Sequence, residues 1–311
     1  MKVHIGCSGW FYSHWRGIFY PAQEIGTDRW FAYYANVFTT VELNAPFYRW
    51  PKPATVRRWQ RQAPPSFRYS VKVNQSITHE RRMVHTKSLV DSFCTTAGVL
   101  GDQLGCFLFQ LPPSYHFTAA RLKTIVAQLD PRYRNVVEFR HRSWWRPSVY
   151  RALAARQIVF CTVSAPRLPD TLPPAGKVVY ARFHGTSRWY EHDYSDAELR
   201  AWADRLIAAQ AEEAWVYFNN DRRGYAVKNA LRFRRILRSA LGSPAQNPDQ
   251  PAPREPNALP GIPTRDRPAS PHEKTRRQDH GPSRQPAARK VRTQAAPEAA
   301  ASTRARPGVE A

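Results

Sequence analysis

Residues 106–139 read CFLFQLPPSYHFTAARLKTIVAQLDPRYRNVVEF. Two short apolar runs, Cys106–Gln110 and Asn135–Phe139, flank an amphipathic stretch, Ala119–Leu129. The flanking runs have the length of strands and are apolar at nearly every position, as strands covered on both faces of a parallel sheet must be. The stretch between them carries its apolar residues at helical spacing, so the three together predict a β-α-β crossover.

The same alternation continues in both directions. Before it come strand-like runs at Val3–Cys7, Thr39–Leu43 and Arg68–Val73, and after it at Ile158–Val163, Val178–Phe183 and Ala214–Phe218. Helical patterns fall at Asp28–Val37, Pro53–Gln62, Thr86–Leu100, Val149–Ala155, Asp196–Ala209 and Gly224–Leu241. Ser195, followed by Asp196 and Glu198, has the form of an N-cap with acidic residues in the first turn. Eight strands with a helix after nearly every one predict an α/β fold of the TIM type, a closed (β/α)₈ barrel over residues 1–242. A doubly wound sheet would need a Gly-rich turn opening a helix after the first strand, and IGCSGWFYSHW does not supply it. No Walker-type loop and no repeat of 20 to 50 residues is visible.

Composition changes abruptly near Gly242. All 39 aromatic residues lie at or before Phe233, whereas residues 243–311 hold 13 of the 27 prolines. Without large apolar side chains that stretch cannot offset the entropy of ordering, so a disordered Pro/Ala/Arg-rich tail is expected there. The net charge is +23, with twelve Lys/Arg against seven Asp/Glu in the tail and 35 against 17 before it. A surplus of this size attracts polyanions, which makes an anionic small molecule or a nucleic acid the expected partner class. Cys7, Cys94, Cys106 and Cys161 form no close pair, and three of them sit in apolar runs. With no membrane-length apolar segment and no signal-type N-terminus, a soluble cytoplasmic protein with no membrane role is expected. No motif specifies an oligomer.

In such barrels the functional face is built at the C-terminal ends of the strands. Reading those positions in order gives Ser8 and Trp10; Glu42, Asn44, Phe47 and Tyr48; Lys72, Asn74 and His79; Gln110; Glu138, Arg140, Arg142 and Trp144; Arg182, His184, Trp189 and Tyr190; and Asn219, Asn220 and Asp221. Any one of these can be an interior residue satisfied by a neighbour, as Glu42 would be by Lys72. Polar groups at the same end of seven strands are harder to explain in that way, because buried charge costs several kcal/mol unless paired. Glu42, Glu138, Lys72 and His184 are the candidate catalytic groups. Trp10, Asn44, Tyr48, Gln110, Arg140, Trp144, Arg182, Tyr190, Asn219, Asn220 and Asp221 are candidate ligand contacts. The excess of cations and amides over histidines argues against a metal site, and no motif calls for a cofactor.

Seven ordered segments carry a family resemblance: GCSGWFYSHWRGIFYP, TTVELNAPFYRWP, FRYSVKVNQSITH, GCFLFQLPPSY, VVEFRHRSWW, VYARFHGTSRWY and VYFNNDRRGYAVKNA. From about Lys2 to Leu241 the chain resembles the domain of unknown function 72 family, the YecE-like proteins. The resemblance implies a TIM-type barrel and matching polar positions at Glu42, Lys72, Gln110, Glu138, Arg140, His184, Asn219, Asn220 and Asp221. It implies no reaction. Family members often carry an aspartate after the sixth strand, where CTVSAPRLPD has Ala165, so an acidic role is not expected there.

Three functions fit the face. The first is binding of a phosphorylated or nucleic-acid ligand, with hydrolysis by Glu42 or Glu138 and charge stabilisation by Lys72 and Arg182. The second is nucleic-acid binding without chemistry, using cations and stacking aromatics. The third is a glycosidase-like reaction with Glu42 and Glu138 as the carboxylate pair. Neutral sugars need no basic field, which ranks the third last.

Overall fold

The computed structural model describes residues 1–22, 25–174 and 176–242, and the tail expected over 243–311 lies outside the described residues. Eight parallel strands form the barrel: β1 (Lys2–Cys7), β2 (Thr40–Leu43), β3 (Arg68–Lys72), β4 (Leu104–Gln110), β5 (Asn135–Glu138), β6 (Val159–Ser164), β7 (Val178–Phe183) and β8 (Glu213–Phe218). Consecutive strands pair from β2 to β8, and β8 returns to pair with β1 along its whole length. Around them lie α1 (Trp30–Val37), α2 (Ala45–Tyr48), α3 (Pro53–Gln62), α4 (Lys87–Ala97), α5 (Ala119–Gln128), α6 (Pro147–Ala154), α7 (Asp196–Ala208) and α8 (Tyr225–Ala240).

The sequence expectations locate every strand to within two residues. The helix expected over Thr86–Leu100 is instead α4 followed by a 3₁₀ segment, Gly98–Gln103, in which Gly101 takes φ 57°. The short α2 and a π-turn at Ser76–Glu80 were not expected, because neither is long enough to show periodicity. Ser195 does cap α7: its side chain accepts from the Glu198 N–H while the Glu198 carboxyl accepts from the Ser195 N–H, a full capping box.

The seam between β1 and β2 is closed by a side chain. The Tyr34 hydroxyl, sent in from α1, accepts from the Cys7 N–H at 2.8 Å and donates to the Thr40 carbonyl at 3.0 Å. Gly6 makes this close approach workable, since a Cβ there would lie 2.3 Å from the Thr40 oxygen. One phenol thus satisfies two backbone groups that would otherwise be orphaned in the barrel wall.

Along each strand, side chains alternate between the helix layer and the barrel interior. On β4 and β5 the outward residues Phe107, Phe109 and Val137 join the main core, while Cys106, Leu108 and Val136 belong to a separate interior cluster. That interior is layered. At its N-terminal end Trp215 stacks on His4 at 3.9 Å, over Gly105, where a Cβ would meet the Trp215 ring at 2.5 Å. Above them the Tyr217 hydroxyl is shared with Thr40 (2.6 Å) and Ser70 (2.9 Å). The next interior positions, one step nearer the C-terminal ends, are Ser8, Glu42, Lys72, Gln110, Glu138 and Arg182. The period-two pattern therefore delivers a polar layer where the strands end.

Candidate functional site

Arg182 organises that layer. Its Nη2 donates to Glu42 Oε1 at 2.6 Å and its Nη1 to Glu138 Oε2 at 2.5 Å, so one guanidinium spans the barrel between β2 and β5. Glu42 also accepts from Ser8 Oγ (2.7 Å) and the Tyr180 hydroxyl (2.6 Å). Glu138 accepts in addition from Arg140 Nε. Both glutamates and Arg182 are sealed from solvent, at 0, 0 and 1 % exposure. Burial alone would push the Glu138 carboxyl up, but Arg140 and Arg182 hold it well below the usual carboxylate range.

Arg140 is almost fully committed. Its Nη2 donates to His184 Nε2 at 3.2 Å, its Nη1 reaches the Tyr190 hydroxyl at 3.4 Å, and its Cζ lies 4.4 Å from the Trp189 ring centroid. Burial and the two arginines press the His184 pKa well below its ordinary value, so the ring is neutral. The other ring nitrogen, Nδ1, lies 3.3 Å from the Asn219 Nδ2 amide.

Lys72 differs from the other cations. Its carboxylate neighbours are already taken by arginines, and among the described residues its Nζ has neither a hydrogen-bond nor an ion-pair partner. The amine instead lies 3.8 Å from the centroid of the Phe47 ring. Burial first, then the nearby Arg182 and Arg140, lower its pKa to about 7, against a smaller opposing pull from Glu138. His79 packs its ring edge-on to the same Phe47 at 4.9 Å and is lowered to about 4 by burial and by Lys72. Gln110 Nε2 lies 3.4 Å from His79 Nε2 and donates to the Leu111 carbonyl at 2.9 Å.

The structure thus brings Glu42, Lys72, Gln110, Glu138, Arg140, Arg182, His184 and Asn219 together at one end of the barrel. Tyr48, 71 % exposed, and Tyr190 stand on its rim, and Phe11, on the loop after β1, is exposed and packs against Trp30. Asn44 ties the seam by donating to the Ser8 carbonyl at 3.1 Å. Four other candidates are occupied elsewhere. Trp144 is 0 % exposed, stacked 3.9 Å from Phe139 with its Nε1 on the Tyr115 carbonyl, so it anchors a loop and presents no face to a ligand. Trp10 packs edge-on to Phe31 at 4.9 Å. Asn220 is buried between the His192 carbonyl and Asn229. Asp221 accepts from Trp15 Nε1 (2.8 Å) and pairs with His14 Nε2 (2.9 Å), joining the loop after β8 to the loop after β1. Burial raises Asp221 to about 6, despite those two partners.

Sequence reasoning missed Tyr180 as part of the site, and it counted Ser8 and Phe47 among the strand-end residues without giving either a role. Tyr180 was legible in principle, because it stands two and four residues before Arg182 and His184 on one strand and so shares their face. That the Phe47 ring would lie against the Lys72 amine was not, since its placement depends on the unforeseen α2.

A cavity of about 540 Å³ opens at the opposite, N-terminal end, lined in part by Arg132, Arg134, Tyr150, Phe160 and Lys177. Three of its four cations are already paired, Arg132 with Asp130, Arg134 with Glu213 and Lys177 with Glu212, and the fourth, Arg156, is exposed. Among the described residues no group of three His, Cys, Asp or Glu side chains could hold a metal ion. No described helix is long and apolar enough to cross a membrane.

The chain is similar to the UPF0759 protein YunF of Bacillus subtilis, 26% identical over 271 residues that cover 76% of this chain and 94% of that protein. It is 30% identical to the UPF0759 protein YecE of Escherichia coli K12 over 113 residues, 36% of this chain and 39% of that one. The crystal structure of a DUF72 family protein from Thermotoga maritima superposes with a TM-score of 0.69 at 29% identity, covering 76% of this chain and 99% of the other. A DUF72 family protein from Enterococcus faecalis has the same fold, with a TM-score of 0.66 at 20% identity over 76% of this chain and 95% of that one. The family described as "Protein of unknown function DUF72" matches residues 4–255, which take in all eight strands and the polar layer at their ends. The chain belongs to the DUF72 family.

Proposed function

We propose that the barrel mouth binds a small anionic ligand, phosphorylated or carboxylated, with Lys72 as its principal cation. The observation that carries this is the charge balance of the polar layer. Glu42 and Glu138 are matched by Arg182 and Arg140, and Lys72 is left over, buried and unpartnered among the described residues. A cation held in that way costs stability until an anion arrives to pair with it. Gln110 and His79 border the position with groups able to hydrogen-bond, and two guanidinium N–H groups are only lightly held: Arg140 Nη1, with the Tyr190 hydroxyl at 3.4 Å, and the buried Arg182 Nε, with no partner among the described residues.

The two glutamates act as a structural floor in this reading. A glycosidase needs one carboxyl kept protonated and both accessible. Here Glu138 is held ionised and neither glutamate meets solvent. If the site is hydrolytic, the base is Lys72 or His79. A nucleic-acid phosphate is a second form of the same anion, favoured by the exposed Phe11, Tyr48 and Tyr190 and by the net charge of +23.

Calorimetric titration with inorganic phosphate tests the reading. Saturable binding that Lys72→Met weakens at least about tenfold, a loss of about 1.4 kcal/mol, is the expected result. Binding unchanged by that substitution contradicts it. Binding of an oligonucleotide that weakens log-linearly with salt and is competed by phosphate would favour the nucleic-acid form.

A further inference from the structure

Resting on that anion-binding reading, we propose that Lys72 is a nucleophile that forms an imine with an anionic aldehyde or ketone held in the mouth. An ordinary lysine is a poor nucleophile because its amine is protonated and solvated. Lys72 meets neither condition. It is 9 % exposed and lies over the face of Phe47, and its charged neighbours are Arg182 and Arg140 together with Glu138 and Glu42, both of which are already paired with arginine. These are the surroundings that keep an amine neutral, an apolar wall and adjacent cations. A pKa lowered to about 7 agrees with that geometry. A purely structural lysine in a barrel layer would be expected to take one of the two glutamates, and here both are held by arginines.

The chemistry balances without a further reactant. The Nζ lone pair forms a bond to the carbonyl carbon as the carbonyl π bond breaks, giving a carbinolamine. The carbon–oxygen bond then breaks, and the oxygen leaves as water with the two protons the amine has lost. Counted from the ammonium form, which loses one proton to free the lone pair and a second from the carbinolamine, two protons leave in the water and the third stays on nitrogen as the protonated imine; a pKa lowered to about 7 makes the first loss easy near neutrality. His79, neutral because its pKa is near 4 and packed on the same Phe47, is placed to relay a proton between nitrogen and oxygen. The substrate's anionic group then pairs with the iminium itself and with Arg140 Nη1. The class of ligand is therefore a small oxo acid or a phosphorylated carbonyl compound.

Incubation of the full chain with glyoxylate and cyanoborohydride at about pH 7, read by peptide mass spectrometry, tests this. About half of Lys72 is neutral there, against roughly one part in 2,500 of an ordinary lysine. Lys72 is thus expected to be alkylated about a hundredfold faster than Lys87 or Lys177 once its lower basicity is allowed for. Excess phosphate should protect it, and Lys72→Arg should abolish the fast label. If phosphate binds in the calorimeter but Lys72 reacts no faster than Lys87 in the unaltered protein, the nucleophile is overturned and the anion site stands. If phosphate does not bind and Lys72 is not labelled, both fall.

Discussion

Replacing Lys72 with methionine should stabilise the protein at neutral pH and do progressively less as the pH rises. The amine titrates near its ordinary 10.5 in the unfolded chain and at about 7 in the fold. A folded pKa below the unfolded one means that the folded state binds its proton less tightly. The penalty is absent above the unfolded value, grows as the pH falls toward about 7, and is constant below that. Each pH unit between the two values is worth about 1.4 kcal/mol, so the penalty amounts to about 4 kcal/mol at pH 7 and well under 1 kcal/mol at about pH 10.5. Methionine is close in volume and needs no partner, so its packing cost should stay below about 1.5 kcal/mol. Urea unfolding of both proteins across this range reads the difference directly, and every other titrating group cancels in the comparison. The variant should be more stable by roughly 3 kcal/mol near pH 7, with the gap closing by about 1.4 kcal/mol per pH unit above it. A gap of the same size at about pH 7 and about pH 10 would mean that the amine is solvated, and the premise of an unpartnered buried cation would be wrong.

Three other perturbations probe the frame around Lys72. Tyr34→Phe removes the hydroxyl bridging Cys7 and Thr40 and should cost about 1–3 kcal/mol in chemical denaturation, with faster amide exchange at Cys7; unchanged exchange there would mean the seam closes by other means. Arg182→Met strands two buried glutamates and should cost about 3–5 kcal/mol at neutral pH, recovering in part as acid protonates them. A loss independent of pH would show that packing, not charge, is what Arg182 supplies. Asp221 is raised from 3.8 to about 6, so its contribution favours the fold at low pH and is lost as the pH rises through that interval. Asp221→Asn should therefore gain relative stability between those two values, and a flat difference would remove Asp221 from the pH response.

The barrel was legible because its strands are covered on both faces. Cys106–Gln110 and Val178–Phe183 read as strands whatever their register, and the crossover at Ala119–Gln128 then fixed the parallel order. The site was legible only as a set of polar residues at strand ends. Sequence could not separate Lys72, left without a carboxylate, from Arg182, paired with two, since that depends on which side chains meet across the barrel. Nor could it separate Tyr48, on the rim, from Trp144, stacked on Phe139. Both are aromatic residues just past a strand, and the difference lies in the loop each one anchors. Glu42 and Glu138 attracted a catalytic assignment because sequence shows the carboxyls and hides their partners.

An anion site built on one unpartnered lysine must reveal itself in the proton that accompanies binding. Sulfate does not itself titrate near neutrality, so calorimetric titration with sulfate in buffers of different ionisation enthalpy reports the protein's proton alone. With Lys72 at about 7 when free and charged when paired, binding should take up nearly one proton at about pH 8, falling toward none at about pH 6. A binding heat that is the same in every buffer at about pH 8, or proton uptake that survives in Lys72→Met, would contradict the account.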